Sequence, residues 1–137
     1  MPSATLSELE ALAQTACASS YAPYSNFHVG AAIQLTSGQI VTGCNVENAS
    51  YRLTTCAEQN AIAAAVAQYG PAIRIASVAI ANAAATACQP CGACRQTIAE
   101  FAAATAAMSF PGENGVTVRT TLGELLPNAF EFKDKTP

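Results

Sequence analysis

The chain has 137 residues, 51% of them hydrophobic, a size and apolar content that predict one domain spanning 1–137 around a single core. Its net charge of −3 and six scattered Lys and Arg residues exclude the phosphate-neutralising surface that nucleic-acid partners need. No apolar run reaches the roughly 20 residues of a membrane span and no basic-then-apolar leader opens the chain, so a cytoplasmic protein without a membrane partner is expected.

From Ser3 to Ser19, Leu6, Leu9, Leu12, Ala13 and Ala16 recur at helical intervals and predict a first helix. Val29–Leu35 and Gln39–Val46 read as an antiparallel hairpin about the turn Thr36-Ser37-Gly38. Thr55 can cap a second helix that runs to about Gln68 and stops at Gly70-Pro71. Ile73–Ile80 is a β-branched buried strand, and a small-residue loop leads from it to Pro90 and a third helix starting near Cys91. Ala106–Phe110 and Val116–Thr120 form two more strands, and Thr121 with Glu124 is a capping box for a short last helix ending at Pro127. This order predicts an α/β protein, an α/β/α sandwich with a mixed five-stranded sheet flanked by helices.

In a reducing compartment, six cysteines are ligands, catalytic groups or buried thiols rather than a disulfide framework. Cys56-Ala57-Glu58 opens the second helix, and Pro90-Cys91-Gly92-Ala93-Cys94 opens the third. Thiols in the first turn of a helix face unpaired N–H groups and the positive end of the dipole, which favours the thiolate. Cys91 and Cys94 share a helix face, and if the two helices lie side by side, Cys56 adds a third sulfur. Three protein donors leave a tetrahedral zinc one position for water, as catalytic sites do. Glu58, two residues from a ligand, is then the general base and acid.

A ligand-x-Glu followed by Pro-Cys-x-x-Cys is the zinc-deaminase signature. With these motifs in place, nearly the whole chain resembles the homotetrameric, three-cysteine zinc cytidine deaminases. Tyr24-Ser25-Asn26-Phe27-His28-Val29-Gly30-Ala31-Ala32 is similar to that family's first strand, Asn45-Val46-Glu47-Asn48-Ala49-Ser50-Tyr51 to its nucleoside-binding segment, and Leu125-Leu126-Pro127-Asn128-Ala129-Phe130 to its C-terminal segment. The resemblance implies one Zn²⁺ per chain on Cys56, Cys91 and Cys94. It implies hydrolytic deamination of cytidine and 2'-deoxycytidine, with Glu58 moving the protons and ammonia leaving from C4. It also implies that Phe27 stacks on the pyrimidine, that Asn45 and Glu47 bond the sugar hydroxyls, and that the backbone at Ala57 reads the base edge. Sites shared between subunits would bring Tyr51 and Phe130 to a neighbour's substrate.

Other readings stand beside this one. Cys88 extends the motif to Cys-x-x-Cys-x-x-Cys, the start of an iron–sulfur run, but no fourth cysteine follows at the expected place. Cys88 could also be the fourth ligand of a structural zinc module, which leaves Glu58 without a role. Within deaminases, the alternatives are another small aminated heterocycle, a modified cytosine nucleoside, or a base in a polynucleotide, the last opposed by the acidic charge balance. Cys17 and Cys44 read as small buried hydrophobes and His28 as structural. Many relatives carry arginine where this chain has Gln59, which makes Arg52 and Arg95 candidates to offset the charge of three thiolates.

Overall fold

The computed structural model describes residues 4–132. Along them run α1 (Leu6–Ala16), β1 (Val29–Leu35), β2 (Ile40–Cys44), α2 (Ala57–Tyr69), β3 (Ile75–Asn82), α3 (Gly92–Phe101), β4 (Ala102–Pro111), β5 (Thr117–Thr121) and α4 (Leu122–Leu125), with 3-10 turns at Cys17–Ser19, Tyr51–Leu53 and Glu113–Gly115. The strand order is β2-β1-β3-β4-β5. β1 is antiparallel to β2 and β3, β3 is parallel to β4, and β4 is antiparallel to β5. The parallel pair needs a crossover, which α3 supplies, and the sheet is mixed and five-stranded as predicted.

Several boundaries differ from the sequence reading. Ser3 lies outside the described residues, and α1 begins at Leu6 because the Thr5 hydroxyl caps it, accepting from the Glu8 N–H at 3.1 Å. The N-cap of α2 is Cys56, not Thr55. Thr55 is drawn into an isolated bridge with Val46, their backbone bonds 2.9 and 3.0 Å long. β2 stops at Cys44, short of Val46, and β3 starts two residues late and runs on to Asn82. β4 begins directly at the end of α3, four residues before Ala106, in an alanine-rich run whose side chains carry no alternating pattern. At α4, Thr121 caps the Glu124 N–H, but the Glu124 carboxylate bonds the Thr120 hydroxyl, so only half of the capping box forms.

Alternation along the strands divides the core between the two faces of the sheet. Ile33, Leu35, Val78, Ile80, Met108 and Phe110 pack with Ala61, Ile62 and Ala65 of α2, Ile98 of α3 and Leu122 of α4. Ala32, Ala79 and Ala81 meet Leu9, Ala13 and Cys17 on the α1 side. Full burial of a side chain such as Ile98 or Met108 contributes about 1.5–3 kcal/mol. The site depends on how closely α2 approaches β2: a Cβ on Gly43 would lie 2.4 Å from the Ala61 nitrogen and 2.6 Å from the Ala57 oxygen. Only glycine leaves room there for the first turns of α2.

Candidate metal and active site

The helices on one face of the sheet bring the predicted thiols together. Cys56 and Cys91 are the N-caps of α2 and α3, and Cys94 lies in the first turn of α3, where its N–H donates to the Cys91 sulfur at 3.4 Å. The Sγ atoms of Cys56, Cys91 and Cys94 all lie within 4.8 Å of one another. A tetrahedral zinc with Zn–S bonds of about 2.3 Å needs sulfurs about 3.8 Å apart, so small rotations of these side chains suffice and the donor set fits a single ion. A hydrogen bond from the Cys94 thiol holds Cys56 down at about 7, while the same bond and burial push Cys94 far up. That asymmetry is what three crowded sulfurs beside a carboxylate do, and a divalent cation among them offsets the repulsion.

Glu58, in the first turn of α2, is only 4% exposed, and burial raises its carboxyl above the usual range. It shares a cavity of about 210 Å³ with the three cysteines. Phe27, Asn45 and Ala57 line the same space. Glu47 and Tyr51 lie instead in an adjoining depression with Tyr24 and Ser25, and Thr54 belongs to the walls of both. Phe130 lines neither; its ring is 68% exposed and meets Phe132 edge-on at 5.3 Å.

The hydrogen bonds of Asn45 and Glu47 go to the loop that carries Phe27. Asn45 donates to the Phe27 carbonyl at 2.8 Å and accepts from the Val29 N–H at 2.9 Å. The Glu47 carboxylate accepts from the Tyr24 N–H at 2.9 Å, the Ser25 N–H at 3.2 Å and the Ser25 hydroxyl. These bonds, the Ser25 hydroxyl first, hold the Glu47 carboxyl below its ordinary range. Both side chains therefore brace the loop that carries Phe27 before any ligand arrives.

Cys88 lines the cavity but stands outside the group of three sulfurs, and burial raises its thiol. Of the other two cysteines, Cys17 is buried as expected, but Cys44 is only half-buried. His28 bonds Ser20 and Asn26, in keeping with a structural role. Gln59 turns its side-chain oxygen onto the Cys56 N–H at 3.1 Å. Arg95, a candidate counter-charge, bonds elsewhere: to the Pro90 carbonyl at 2.8 Å, the Leu125 carbonyl at 2.9 Å and the Gln89 side-chain oxygen at 2.8 Å. Sequence reasoning missed Thr54 and Gln89 as cavity residues; the one available signal was their position beside the motifs.

Three thiol donors beside a buried carboxylate can hold a tetrahedral ion, leave it one position for water, and move that water's protons, which is the equipment of a metal-dependent hydrolase. Comparison with known proteins narrows the class. Residues 3–109 match the model for the cytidine and deoxycytidylate deaminase zinc-binding region. The cytidine deaminase of Mycobacterium tuberculosis is 40% identical over 134 residues, covering 98% of this chain and 96% of that protein. The cytidine deaminase of Halalkalibacterium halodurans is 40% identical over 115 residues, covering 83% and 85%. The structure of the cytidine deaminase from Burkholderia pseudomallei superposes with a TM-score of 0.83 at 41% identity, covering 93% of this chain and all of the other. The chain belongs to the cytidine and deoxycytidylate deaminase zinc-binding family.

Proposed function

We propose that this protein is a zinc-dependent cytidine deaminase of pyrimidine salvage, one domain over 1–137, which hydrolyses cytidine and 2'-deoxycytidine to uridine and 2'-deoxyuridine with release of ammonia. The observation that carries the reading is the group of Cys56, Cys91 and Cys94 sulfurs within 4.8 Å of one another, in a cavity shared with buried Glu58.

Cys56, Cys91 and Cys94 would hold one Zn²⁺, which when bound acts as a Lewis acid and lowers the pKa of its water to about 7. Glu58 takes one proton from the attacking water and delivers it to N3 of the cytosine ring, then takes the second from the hydroxyl now on C4 and delivers it to the departing amine. Water is consumed, C4 gains the oxygen and ammonia leaves. The raised pKa of Glu58 suits both halves of that exchange. Phe27 offers its ring face to the pyrimidine, and the backbone at Ala57 reads the base edge. Asn45 and Glu47, already bonded to the Phe27 loop, turn their remaining capacity to the sugar hydroxyls.

The adjoining depression supports a free nucleoside over a nucleotide, since it contains Glu47 and, among the described residues, no Lys or Arg lines its wall. A 5'-phosphate there meets a carboxylate and finds no cationic partner. The enzyme acts in the cytoplasm as a homotetramer with shared sites. Support for shared sites comes from three exposed aromatic residues: Tyr24 is 50%, Tyr51 75% and Phe130 68% exposed. No described helix is long and apolar enough to cross a membrane. Ammonia release measured against cytidine, 2'-deoxycytidine, deoxycytidylate, cytosine and a cytosine oligonucleotide tests the reading. Turnover of the two nucleosides well above the rest is expected, and preference for the nucleotide or the oligonucleotide would overturn it.

A further inference from the structure

The segment after α4 is largely exposed, yet its backbone is tied down. Gln96, on α3 two residues past Cys94, donates from its amide nitrogen to the Phe130 carbonyl at 2.8 Å and accepts from the Phe130 N–H at 3.1 Å. One planar amide thus matches the donor and the acceptor of a single residue, a pairing that no charged side chain of this length reproduces. Arg95, the preceding residue, bonds the Leu125 carbonyl near the root of the same segment. Adjacent side chains on the helix that carries Cys94 therefore hold the segment at two points.

The bonds do not serve burial within the chain. Phe130 and Phe132 stay 68% and 73% exposed and touch each other edge-on. Fixing a backbone costs conformational entropy, and here the fixed residue contributes little apolar area to its own core. What the clamp settles is the direction in which the Phe130 ring leaves the surface.

We infer that Gln96 is a positioning residue for substrate binding: its two bonds to the Phe130 backbone set the aromatic ring that completes the nucleoside site of a neighbouring copy. This rests on the reading of Phe130 as a substrate contact. The side-chain bonds of Gln96 go to Phe130 rather than to the three sulfurs or Glu58, so its effect falls on KM rather than on kcat or zinc.

The test uses the assembled, zinc-loaded enzyme with cytidine and compares wild type, Gln96→Leu, Gln96→Glu, Phe130→Ala and the double variant Gln96→Leu with Phe130→Ala. Gln96→Leu should raise KM about 2- to 13-fold with kcat within about twofold, a range set by the loss of one aromatic contact. Gln96→Glu keeps the acceptor, loses the donor and should fall between wild type and Gln96→Leu. Amide exchange in a peptide covering 127–132 should quicken in Gln96→Leu, and in the Phe130→Ala background the same change should add no further rise in KM. If Phe130→Ala raises KM while Gln96→Leu does not, or if the two effects multiply fully, the positioning role is overturned and the reading of Phe130 stands. If Phe130→Ala leaves KM unchanged, that reading fails and takes the positioning role with it. Should Gln96→Leu not fold, Gln96→Glu in both backgrounds decides by the same criteria.

Discussion

At Glu58, a carboxylate that would be costly to bury alone shares its cavity with three sulfurs at the N-terminal turn of α2, and its raised pKa follows from the burial. Glu58→Gln keeps the side-chain shape and removes the proton shuttle, so zinc per chain should stay at the wild-type value while kcat falls by about 10²-fold or more. Metal analysis beside a uridine assay checks both halves. Among the cysteines, Cys91→Ala and Cys94→Ala should each lose zinc and activity, since each removes a donor from the group of three. Cys88→Ala should retain the metal, and zinc loss in that variant would place the fourth sulfur among the ligands. The ligand group was legible in the sequence because its members lie at fixed spacings at two helix starts. The bonding of Arg95 was not, because the Leu125 carbonyl it reaches is 30 residues away and local pattern says nothing about such a partner. Nor could spacing show that Asn45 and Glu47 brace the Phe27 loop.

Among the elements, α2 and α1 make separate predictions. A methyl group on Gly43 would meet the α2 backbone at 2.4 Å, so Gly43→Ala must shift the helix that carries Cys56 and Glu58. Overpacking of this kind costs about 1–3 kcal/mol, and a melting temperature lower by several degrees with weaker zinc retention is expected. Gly92→Ala, with nothing within 4 Å of the added carbon, should leave the melting temperature of the protein near wild type. On the other face, Glu10 of α1 accepts from Arg119 of β5 at 2.8 Å and from the Ser109 hydroxyl of β4. Arg119, then Ser109, holds the Glu10 carboxyl below its ordinary range against the opposing effect of burial. A depressed carboxyl stabilises the fold above its unfolded pKa, and that contribution disappears as pH falls through the folded pKa. With the Arg119 side chain 50% exposed, solvent screening keeps the contribution of the pair small. Glu10→Gln should therefore melt about 2 °C below wild type at pH 7, with the gap closing at pH below about 4; a gap independent of pH would contradict the assignment. Element type and order were readable from periodicity. The early start of β4 was not, because Ala102–Thr105 shows no alternation, and the α2 cap fell one residue beyond Thr55 because Thr55 is held by Val46.

For the molecule as a whole, the sheet places the N-termini of α2 and α3 side by side on one face, while α1 covers the other. The mixed five-stranded architecture followed from the order of elements, but nothing in that order dictated how the C-terminal segment would be held. If sites are shared, activity per chain should fall on dilution in step with dissociation seen by sedimentation, and a fully active monomer would remove Tyr51 and Phe130 from the substrate site. Stripping zinc with a chelator and restoring it in steps, while following uridine formation from cytidine, tests the central claim most directly. Stripped protein should be inactive, and activity should rise with added zinc and level off at one ion per chain. Uridine formation by the stripped protein at the rate of the zinc-loaded enzyme would contradict the claim.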